Sequence, residues 1–304
     1  MGGAPGRPSA RVHRRRWRIV VRHVGLVGAL ACALQAWLLV GPATSARSGP
    51  VDVLYAGSLL DLMQQRIGPA FHRTTGYTVS GIANGSSALA SEIRGGTEVA
   101  DVFISASPRV NASLEGAVNG NWVSSYRAFG RSALVLGYNP SSTFAPALRR
   151  GPWYDVVGRA GFLLGRTDPA TDPKGVLAVT ALTEAATRYG RPRLATLATS
   201  ASDVFTETSL VGELDAGQLD AGFFYAVEAS AAHLHTVALA GARLGGTYTV
   251  AVVNRAPHGA GARAFVKFLL GPAGRRILKD NGVSPIVPAT RYPATQSTSS
   301  VVAP

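Results

Sequence analysis

The chain has 304 residues, of which 46% are hydrophobic and 15% charged, so it can bury a full core and is not intrinsically disordered. Its formal net charge is +13, but seven arginines lie before residue 47 with no acidic residue among them. The remainder therefore carries 13 − 7 = +6 without a block of lysine or arginine. We expect no nucleic-acid partner for such a surface.

The N-terminal segment has the pattern of an export signal. Its arginines precede the apolar run IVVRHVGLVGALACALQAWLLVG, and Thr44-Ser45-Ala46 then fits the small-x-small rule of signal peptidase. We interpret residues 1–46 as a signal peptide, which predicts an exported protein that is extracellular, at the cell surface or periplasmic. The segment RRRWRIV also permits twin-arginine export. The alternative is a retained membrane anchor, because Val24 to Val40 is near the lower length limit for spanning a bilayer.

The single cysteine, Cys32, lies inside this apolar run. Cleavage after Ala46 leaves no cysteine in the mature chain, which excludes disulfides, a thiolate metal site and a cysteine nucleophile. Lipid attachment at Cys32 is the alternative. It is the less favoured one, because Ala29 stands where a leucine is usual and a further apolar run follows the cysteine.

Beyond Pro50, short apolar strands alternate with helical patterns, which is typical of parallel α/β units. The first series has the predicted strands VDVLY, YTVSGIA, ADVFIS and RSALVLGYNP, and helices over 59–74, in SALASEIRGG and near PRVNASLEGAV. The second has the strands GFLLG and AGFFY, the segment DVFTET, and helices over 174–189 and 209–216. The strand TYTVAVV and helices over 259–270 and 273–280 complete the fold.

Two apolar strands, ALVLGYNP and TYTVAVVN, flank the second series. This is expected when a chain crosses to a second lobe and later returns, and such a protein can close like a hinge on a ligand. We therefore predict lobe 1 over 51–135 and 247–288, and lobe 2 over 136–246. The Ser/Thr/Pro-rich tail over 289–304 is predicted to be disordered.

Two Gly-Ser steps open helices directly after strands. Ser58 follows VDVLYAG, where a capping box with Asp61 would need no ligand, and Ser86 opens the next helix in ANGSSALASEI. In a parallel sheet both turns emerge at the carboxyl edge, where ligands bind in open α/β folds. Together they offer hydroxyls, backbone N–H groups and positive helix ends, which suits an oxyanion. Ser87 could replace Ser86 as the contacting hydroxyl.

Carboxylates and a tyrosine stand at comparable positions of the second series. In RTDPATDPKG the Asp-Pro steps indicate a rigid turn, in which Asp168 and Asp172 can make Asx turns. Glu207 in FTETSLVGEL can simply favour a helix dipole. Tyr225 ends the strand AGFFY, where a half-buried ring with its hydroxyl in water is common. Composition and spacing do not choose between these roles and ligand binding.

In their order, these motifs resemble the molybdate/tungstate-binding proteins of bacterial and archaeal ABC transporters, the archaeal tungstate-binding branch in particular. The resemblance covers about residues 51 to 285, and its more specific pieces are the DP-x-G turn and a glutamate eighteen residues before a tyrosine. It implies a type II periplasmic-binding-protein fold. That fold is α/β and two-lobed, each lobe a mainly parallel sheet flanked by helices, with two crossing strands between the lobes.

The resemblance also implies which residues bind the ligand. In that branch the metal of the oxyanion is reached by an aspartate of the DP-x-G turn and a glutamate, which match Asp172 and Glu207. The family's hydrogen-bonding groups match Ser58, Ser86 and Tyr225. The implied protein captures molybdate or tungstate between its lobes for an ABC permease in the membrane and needs no further cofactor. We expect it to be a monomer.

Carboxylates at an anion site indicate which anion binds. The tetrahedral centre of sulfate or phosphate has no room for added ligands, so a carboxylate would only repel these anions. Mo(VI) and W(VI) are larger and can expand toward six-coordination, and carboxylate oxygens are suitable hard ligands for them. The same residues would then reject the abundant smaller oxyanions.

Three positions depart from the family's pattern. Ser107 stands where the family often has Asp, and Ala226 and Glu228 change the family's Tyr-Lys-Ser-Val-Ala segment and thereby alter the rim of the site. These changes leave the preference between molybdate and tungstate open. Within the same class, the alternative is a binder of sulfate or another tetrahedral oxyanion.

A secreted Ser-His-Asp hydrolase is the alternative from another class. No Gly-x-Ser-x-Gly elbow surrounds any serine of the chain, and no histidine lies in a motif that would activate one. We therefore expect no enzyme activity. The mature chain has four histidines: His72, His233, His235 and His258.

Overall fold

The computed structural model describes residues 49–293. The predicted signal peptide over residues 1–46 and Cys32, the alternative site of lipid attachment, lie outside the described residues, as does the predicted tail from residue 294 onward. Within residues 49–293, no helix has both the length and the apolar character needed to cross a bilayer.

Ten strands form one mixed sheet in the described part of the chain. Along the main path of the sheet the order is β2-β1-β3-β9-β4-β7-β5-β6, and both β8 and β10 pair with β4. The strands are β1 Gly49–Ala56, β2 Tyr77–Asn84, β3 Val102–Ser105, β4 Ser125–Tyr138, β5 Leu164–Thr167, β6 Val204–Phe205, β7 Ala221–Tyr225, β8 His235–Ala238, β9 Gly245–Val252 and β10 Ser284–Pro293.

Helices connect most of these strands, as the alternation of patterns predicts. The helix predicted over 59–74 is longer and irregular: a 3-10 turn (Gly57–Leu59) and a π-helical stretch (Met63–Ile67) adjoin its two α-helical parts. The α-helices are α1 Leu60–Leu62, α2 Gly68–Thr75, α3 Ser86–Gly95, α4 Pro108–Ala112, α5 Ala145–Arg150, α6 Trp153–Val157, α7 Pro173–Tyr189, α8 Pro192–Thr199, α9 Leu210–Asp215, α10 Ala226–Ala231, α11 Gly259–Leu270 and α12 Pro272–Asp280.

Strand β4 carries the chain from one half of the sheet to the other. Up to Ala133 it pairs with β9 and β10, and from Leu134 onward it pairs with β7 and β8. On one side β1 pairs in parallel with β2 and β3, and on the other β5 pairs in parallel with β6 and β7. The predicted α/β class is confirmed, but the sheet as a whole is mixed, because β3 pairs antiparallel with β9 and every pairing of β4 is antiparallel. The change of partners falls two residues before the predicted lobe boundary at 135/136.

The core forms where buried strands meet aromatic side chains of the helices. Val51 and Val53 of β1 are fully buried, and the ring of Phe71 from α2 meets Phe265 of α11 edge-on at 5.1 Å. Each such side chain contributes about 1.5–3 kcal/mol when it is removed from water. This packing holds the carboxyl ends of β1 and β2 in fixed positions.

The end of the chain differs from the sequence prediction. Residues 289–293 of the predicted disordered tail belong to β10, which pairs antiparallel with the first half of β4. Tyr292 stacks on Tyr126 with 4.8 Å between ring centroids. The Ser/Thr/Pro composition of this segment gives no strand signal, because no apolar run holds the strand. The pairing with β4 and the contact between Tyr292 and Tyr126 order it.

Candidate functional site

The loop between β5 and α7 leads into the DP-x-G motif at residues 172–175, and two aspartates order it. Asp168 accepts a hydrogen bond from the Ala170 backbone N–H at 2.8 Å, which is the expected Asx turn. Asp172 is the N-cap of α7, and its Oδ1 accepts from the Lys174 N–H at 3.1 Å. The helix begins at Pro173, one residue before the predicted start, because proline suits the first helical position. Asp172 is buried, and its Oδ2 has no partner among the described residues.

Glu207 lies in the loop between β6 and α9 and is also buried. Its Cγ rests against Gly57, so that a Cβ at Gly57 would overlap it. The glycine of the first Gly-Ser step is therefore required by a close approach of the Glu207 side chain. Glu207 Oε2 lies 2.9 Å from the Nζ of Lys174. This contact is an ion pair without the alignment of a hydrogen bond, since Oε2 has no hydrogen-bond partner in the described residues.

Ser58 does not cap the helix that follows β1. The 3-10 turn at this point has Ala56 as its N-cap and no side-chain capping bond, so the capping box with Asp61 is not formed. The Ser58 hydroxyl instead lies 2.9 Å from the hydroxyl of Tyr248, and both groups are buried. Tyr248 of β9 therefore holds the Ser58 hydroxyl in place just beyond the carboxyl end of β1.

Ser86 is the first residue of α3, with Gly85 as its N-cap. Its hydroxyl accepts a hydrogen bond from the Ala106 N–H at 3.1 Å. The next two N–H groups of the helix, at 87 and 88, already donate to the carbonyl of Thr171 at 3.0 and 3.1 Å. Two of the backbone N–H groups that were predicted to bind an anion are therefore already hydrogen-bonded to the loop that precedes α7. Ser86 is buried, whereas Ser87 is half-buried and lines a surface cavity.

Tyr225 is fully buried rather than half-buried. It ends β7, an internal strand between β4 and β5, and its ring lies beneath Gly246, where an added Cβ would come within 2.8 Å of the ring. Its ring also meets the Tyr248 ring edge-on, with 5.9 Å between centroids. The Tyr225 hydroxyl has no hydrogen-bond partner among the described residues.

The structure therefore brings all five predicted residues to one enclosed region. Four of them follow the carboxyl ends of β1, β2, β5 and β6, and Tyr225 is the last residue of β7. Gly85 lies beside the Cβ of Asp172, where an added Cβ would come within 3.2 Å, and Gly57 lies beside Glu207, so the two Gly-Ser steps face the two carboxylates. Strand ends are where ligands bind in open α/β sheets.

With the carboxyl groups ionised, three polar oxygens in this region are buried without a hydrogen-bond partner in the described part of the chain: Asp172 Oδ2, Glu207 Oε2 and the Tyr225 hydroxyl. Burial raises the pKa of Glu207 well above its usual range, and the neighbouring Asp172 carboxylate raises it further, by its charge and by accepting a hydrogen bond from protonated Glu207, against the opposing charge of Lys174. Burial, and then Asp172, likewise raise the pKa of Tyr225. Each unsatisfied buried group costs about 1–3 kcal/mol, so their clustering calls for an explanation.

Sequence reasoning missed three buried residues of this region: Lys174, Glu228 and Tyr248. Glu228 was assigned to the rim, and the structure places it inside, with both carboxylate oxygens within 2.9 Å of Lys174 Nζ. A signal for Lys174 was present, because a cation in the first turn of a helix opposes the helix dipole and needs a compensating acid. The sequence offered no comparable signal for Tyr248.

A mixed sheet with polar side chains enclosed at its strand ends is the arrangement of a periplasmic solute-binding protein. The chain belongs to the family of bacterial extracellular solute-binding proteins, which matches residues 51–284.

Relatives and solved structures agree with this family. A Haloferax volcanii protein with the provisional name of ABC transporter molybdenum-binding protein is 31% identical over 58% of this chain and 54% of its own length. The molybdate/tungstate-binding protein WtpA of Pyrococcus abyssi is 24% identical over 57% of this chain and 65% of its own length. The chain thus spans between about half and two thirds of the length of these relatives.

Two solved structures share the fold. The periplasmic molybdate-binding protein of Azotobacter vinelandii superposes with a TM-score of 0.58 at 19% identity, over 77% of this chain and 98% of that one. The sulfate-binding protein SubI of Mycobacterium tuberculosis superposes with a TM-score of 0.61 at 15% identity, over 79% of this chain and 88% of that one. At such identities these likenesses show the fold and do not select a ligand.

Proposed function

We propose that the protein captures molybdate or tungstate outside the cytoplasm and delivers it to an ABC permease. The observation that carries the proposal is the group of buried oxygens of Asp172, Glu207 and Tyr225 that accept or donate no hydrogen bond within the described residues. The first two are hard carboxylate ligands for Mo(VI) or W(VI), and the phenol can donate a hydrogen bond to an oxo group. The names of the molybdenum- and tungstate-binding relatives support the same ligand.

The charge of the site argues against an oxyanion such as sulfate, whose central atom cannot bond a carboxylate. Three buried carboxyl groups, of Asp172, Glu207 and Glu228, accompany one buried ammonium, of Lys174. In the ionised form in which carboxylates bond a metal, these groups sum to a formal charge of −2. A sulfate dianion would be repelled by this charge and would gain nothing from carboxylate oxygens. An oxyanion whose central metal bonds these oxygens gains a direct interaction that offsets the repulsion. The site therefore favours molybdate and tungstate over sulfate.

The hydrogen-bonding residues fit the remaining oxygens of such a ligand. The hydroxyls of Ser58 and Ser86 come from the predicted lobe 1, and Asp172, Glu207 and Tyr225 come from the predicted lobe 2. A ligand between them would be held by both halves of the chain, and hinge opening about the paired strands β4 and β9 would release it. Residues 1–46 as a cleaved signal peptide, a monomeric state and the absence of enzyme activity complete the proposal.

The hydrolase alternative gains no support from the surroundings of His258. Its Nδ1 lies 2.9 Å from Asp101 Oδ2 and 3.6 Å from Asp52 Oδ2, and its backbone N–H donates to Asp101 at 2.7 Å. An Asp–His pair is part of a hydrolase triad, but no serine hydroxyl hydrogen-bonds His258 within residues 49–293, so the nucleophile is missing. The contacts tie the start of α11 to the neighbouring strands, which is a structural role.

Isothermal titration calorimetry with molybdate, tungstate and sulfate tests the proposal. We expect molybdate and tungstate to bind at least about a hundredfold more tightly than sulfate, because each of the two carboxylate contacts should contribute at least as much as a hydrogen bond to a charged group, about 1.5–3 kcal/mol. Equal affinity for sulfate would overturn the metal-coordination argument. Tight binding of a metal cation without an oxyanion would also overturn it, because carboxylate and phenol oxygens suit hard cations as well.

A further inference from the structure

The most unusual group near the site is the ammonium of Lys174. The side chain is fully buried, and its Nζ lies 2.9 and 2.8 Å from the two carboxylate oxygens of Glu228 and 2.9 Å from Glu207 Oε2. Its remaining neighbour is the ring of Phe224, whose centroid lies 5.4 Å away. A buried lysine is stable only when it is paired in this way.

The three donors of Lys174 are shared unequally. Both contacts to Glu228 are aligned hydrogen bonds, whereas the contact to Glu207 is an ion pair that leaves Oε2 without a hydrogen bond. An ammonium has three N–H donors, and the two that are aligned on Glu228 do not point at Glu207. Glu207 Oε2 consequently lies beside a positive charge and is still free to bond a ligand.

Glu228 is itself held in place from the other side. It is the third residue of α10, and its Oε2 accepts from the backbone N–H of Tyr225 at 3.3 Å. The pair thus joins three parts of the site: the first turn of α7 that contains the Asp172 cap, the end of β7 at Tyr225, and the loop of Glu207. Neither Lys174 nor Glu228 has an unpartnered polar atom that points at a ligand.

We propose that Lys174 and Glu228 form a positioning pair for oxyanion binding, in which Glu228 takes the hydrogen bonds of Lys174 and so keeps Glu207 Oε2 free for the metal of the oxyanion. The pair also sets the affinity, because Lys174 fixes the direction of the Glu207 carboxylate. This inference rests on the proposed function. It names two residues that act through Glu207 rather than by touching the ligand.

The variant Glu228→Gln separates positioning from overall charge. It makes the site less negative by one unit, so a purely electrostatic effect would strengthen the binding of a dianion. In the positioning account Lys174 turns to hydrogen-bond Glu207, and tungstate binding becomes about tenfold weaker or more. Glu184→Gln, on the exposed side of the same helix α7, removes one carboxylate charge away from the site and is the matched control.

The double variant Lys174→Met/Glu228→Gln leaves neither member of the pair as an unpaired buried charge. It removes one positive and one negative charge together, so it keeps the net charge of the site, but it also removes the cation beside Glu207. We expect a cooperative thermal transition at a lower melting temperature than that of the wild type and tungstate binding about tenfold weaker. Wild-type affinity in a folded double variant would show that the pair serves only the fold and would overturn the inference.

A spectroscopic readout distinguishes positioning from general stability. X-ray absorption at the tungsten edge should show one fewer oxygen neighbour in Glu228→Gln than in the wild type, while Glu184→Gln keeps the wild-type spectrum. Unchanged coordination together with unchanged affinity in Glu228→Gln would refute the pair's role. If the wild type itself bound no oxyanion, the proposed function would fail instead, so the two failures are distinguishable.

Discussion

The variant Asp172→Asn separates two roles of this side chain, the capping of α7 and the offer of a free carboxylate oxygen to a ligand. Asp172 Oδ1 caps α7 through the Lys174 N–H at 3.1 Å, while Oδ2 has no partner in the described residues. Asparagine caps helices about as well as aspartate, so Asp172→Asn should change the free energy of unfolding by no more than ~0.5 kcal/mol. It removes the carboxylate that would bond the metal of the oxyanion.

The size of the binding effect follows from the chemistry of the lost contact. An interaction with a charged group contributes about 1.5–3 kcal/mol net, so Asp172→Asn should weaken tungstate binding by about tenfold to a hundredfold. Calorimetry measures the affinity, and thermal unfolding followed by circular dichroism measures the stability. Asp172→Ala should lose the cap as well, at a cost of about 1 kcal/mol in stability.

Asp168→Asn is the matched control, because it removes the other carboxylate of the same loop. Asp168 only accepts the turn hydrogen bond from Ala170, and asparagine can accept it too. We expect wild-type affinity and stability. If Asp172→Asn folds normally and binds tungstate as tightly as this control does, Asp172 is not a ligand and the metal-coordination argument fails.

Three further predictions concern neighbouring residues. Tyr225→Phe removes a buried hydroxyl that has no partner in the described residues, so stability should be unchanged or higher while tungstate binding weakens about tenfold; equal affinity would remove Tyr225 from the site. Burial raises the pKa of Glu207 and Glu228 above the ordinary value of 4.5, so the folded protein holds protons that the unfolded chain releases. The melting temperature of the ligand-free protein should therefore fall as pH rises from about 4.5, and Glu207→Gln should flatten this slope; an equally steep slope in the variant would contradict the assignment. Gly57→Ala would drive a Cβ into the Glu207 side chain and should cost about 1–3 kcal/mol as well as affinity, whereas Gly212→Ala, with open space around it, is the control; equal behaviour of the two would argue against the close approach.

The fold class and the clustering of the site residues could be predicted from the sequence, because both depend on local sequence patterns. Gly-Ser steps after strands, and an aspartate before Pro-x-Gly, are local motifs that are expected at the carboxyl edge of a parallel sheet. The structure brings those residues together. The helix boundaries at α7 and α9 differ from the prediction by one residue, since capping at Asp172 fixes the start of α7.

The remaining features depend on contacts between distant parts of the chain. Ser58 was expected to be able to cap its own helix, but it is paired with Tyr248, which lies 190 residues away. Glu228 was placed on the rim, because no local pattern shows that a lysine 54 residues earlier is buried beside it. Tertiary pairing of this kind leaves no periodic signal in either segment.

Metal coordination by Asp172 and Glu207 can be measured in the protein loaded with tungstate. A crystal structure of the full chain with tungstate, or X-ray absorption in solution, counts the oxygen neighbours of the metal. We predict six, four from the oxyanion and one each from Asp172 and Glu207. Four neighbours, with both carboxylates outside bonding distance of the metal, would contradict the account.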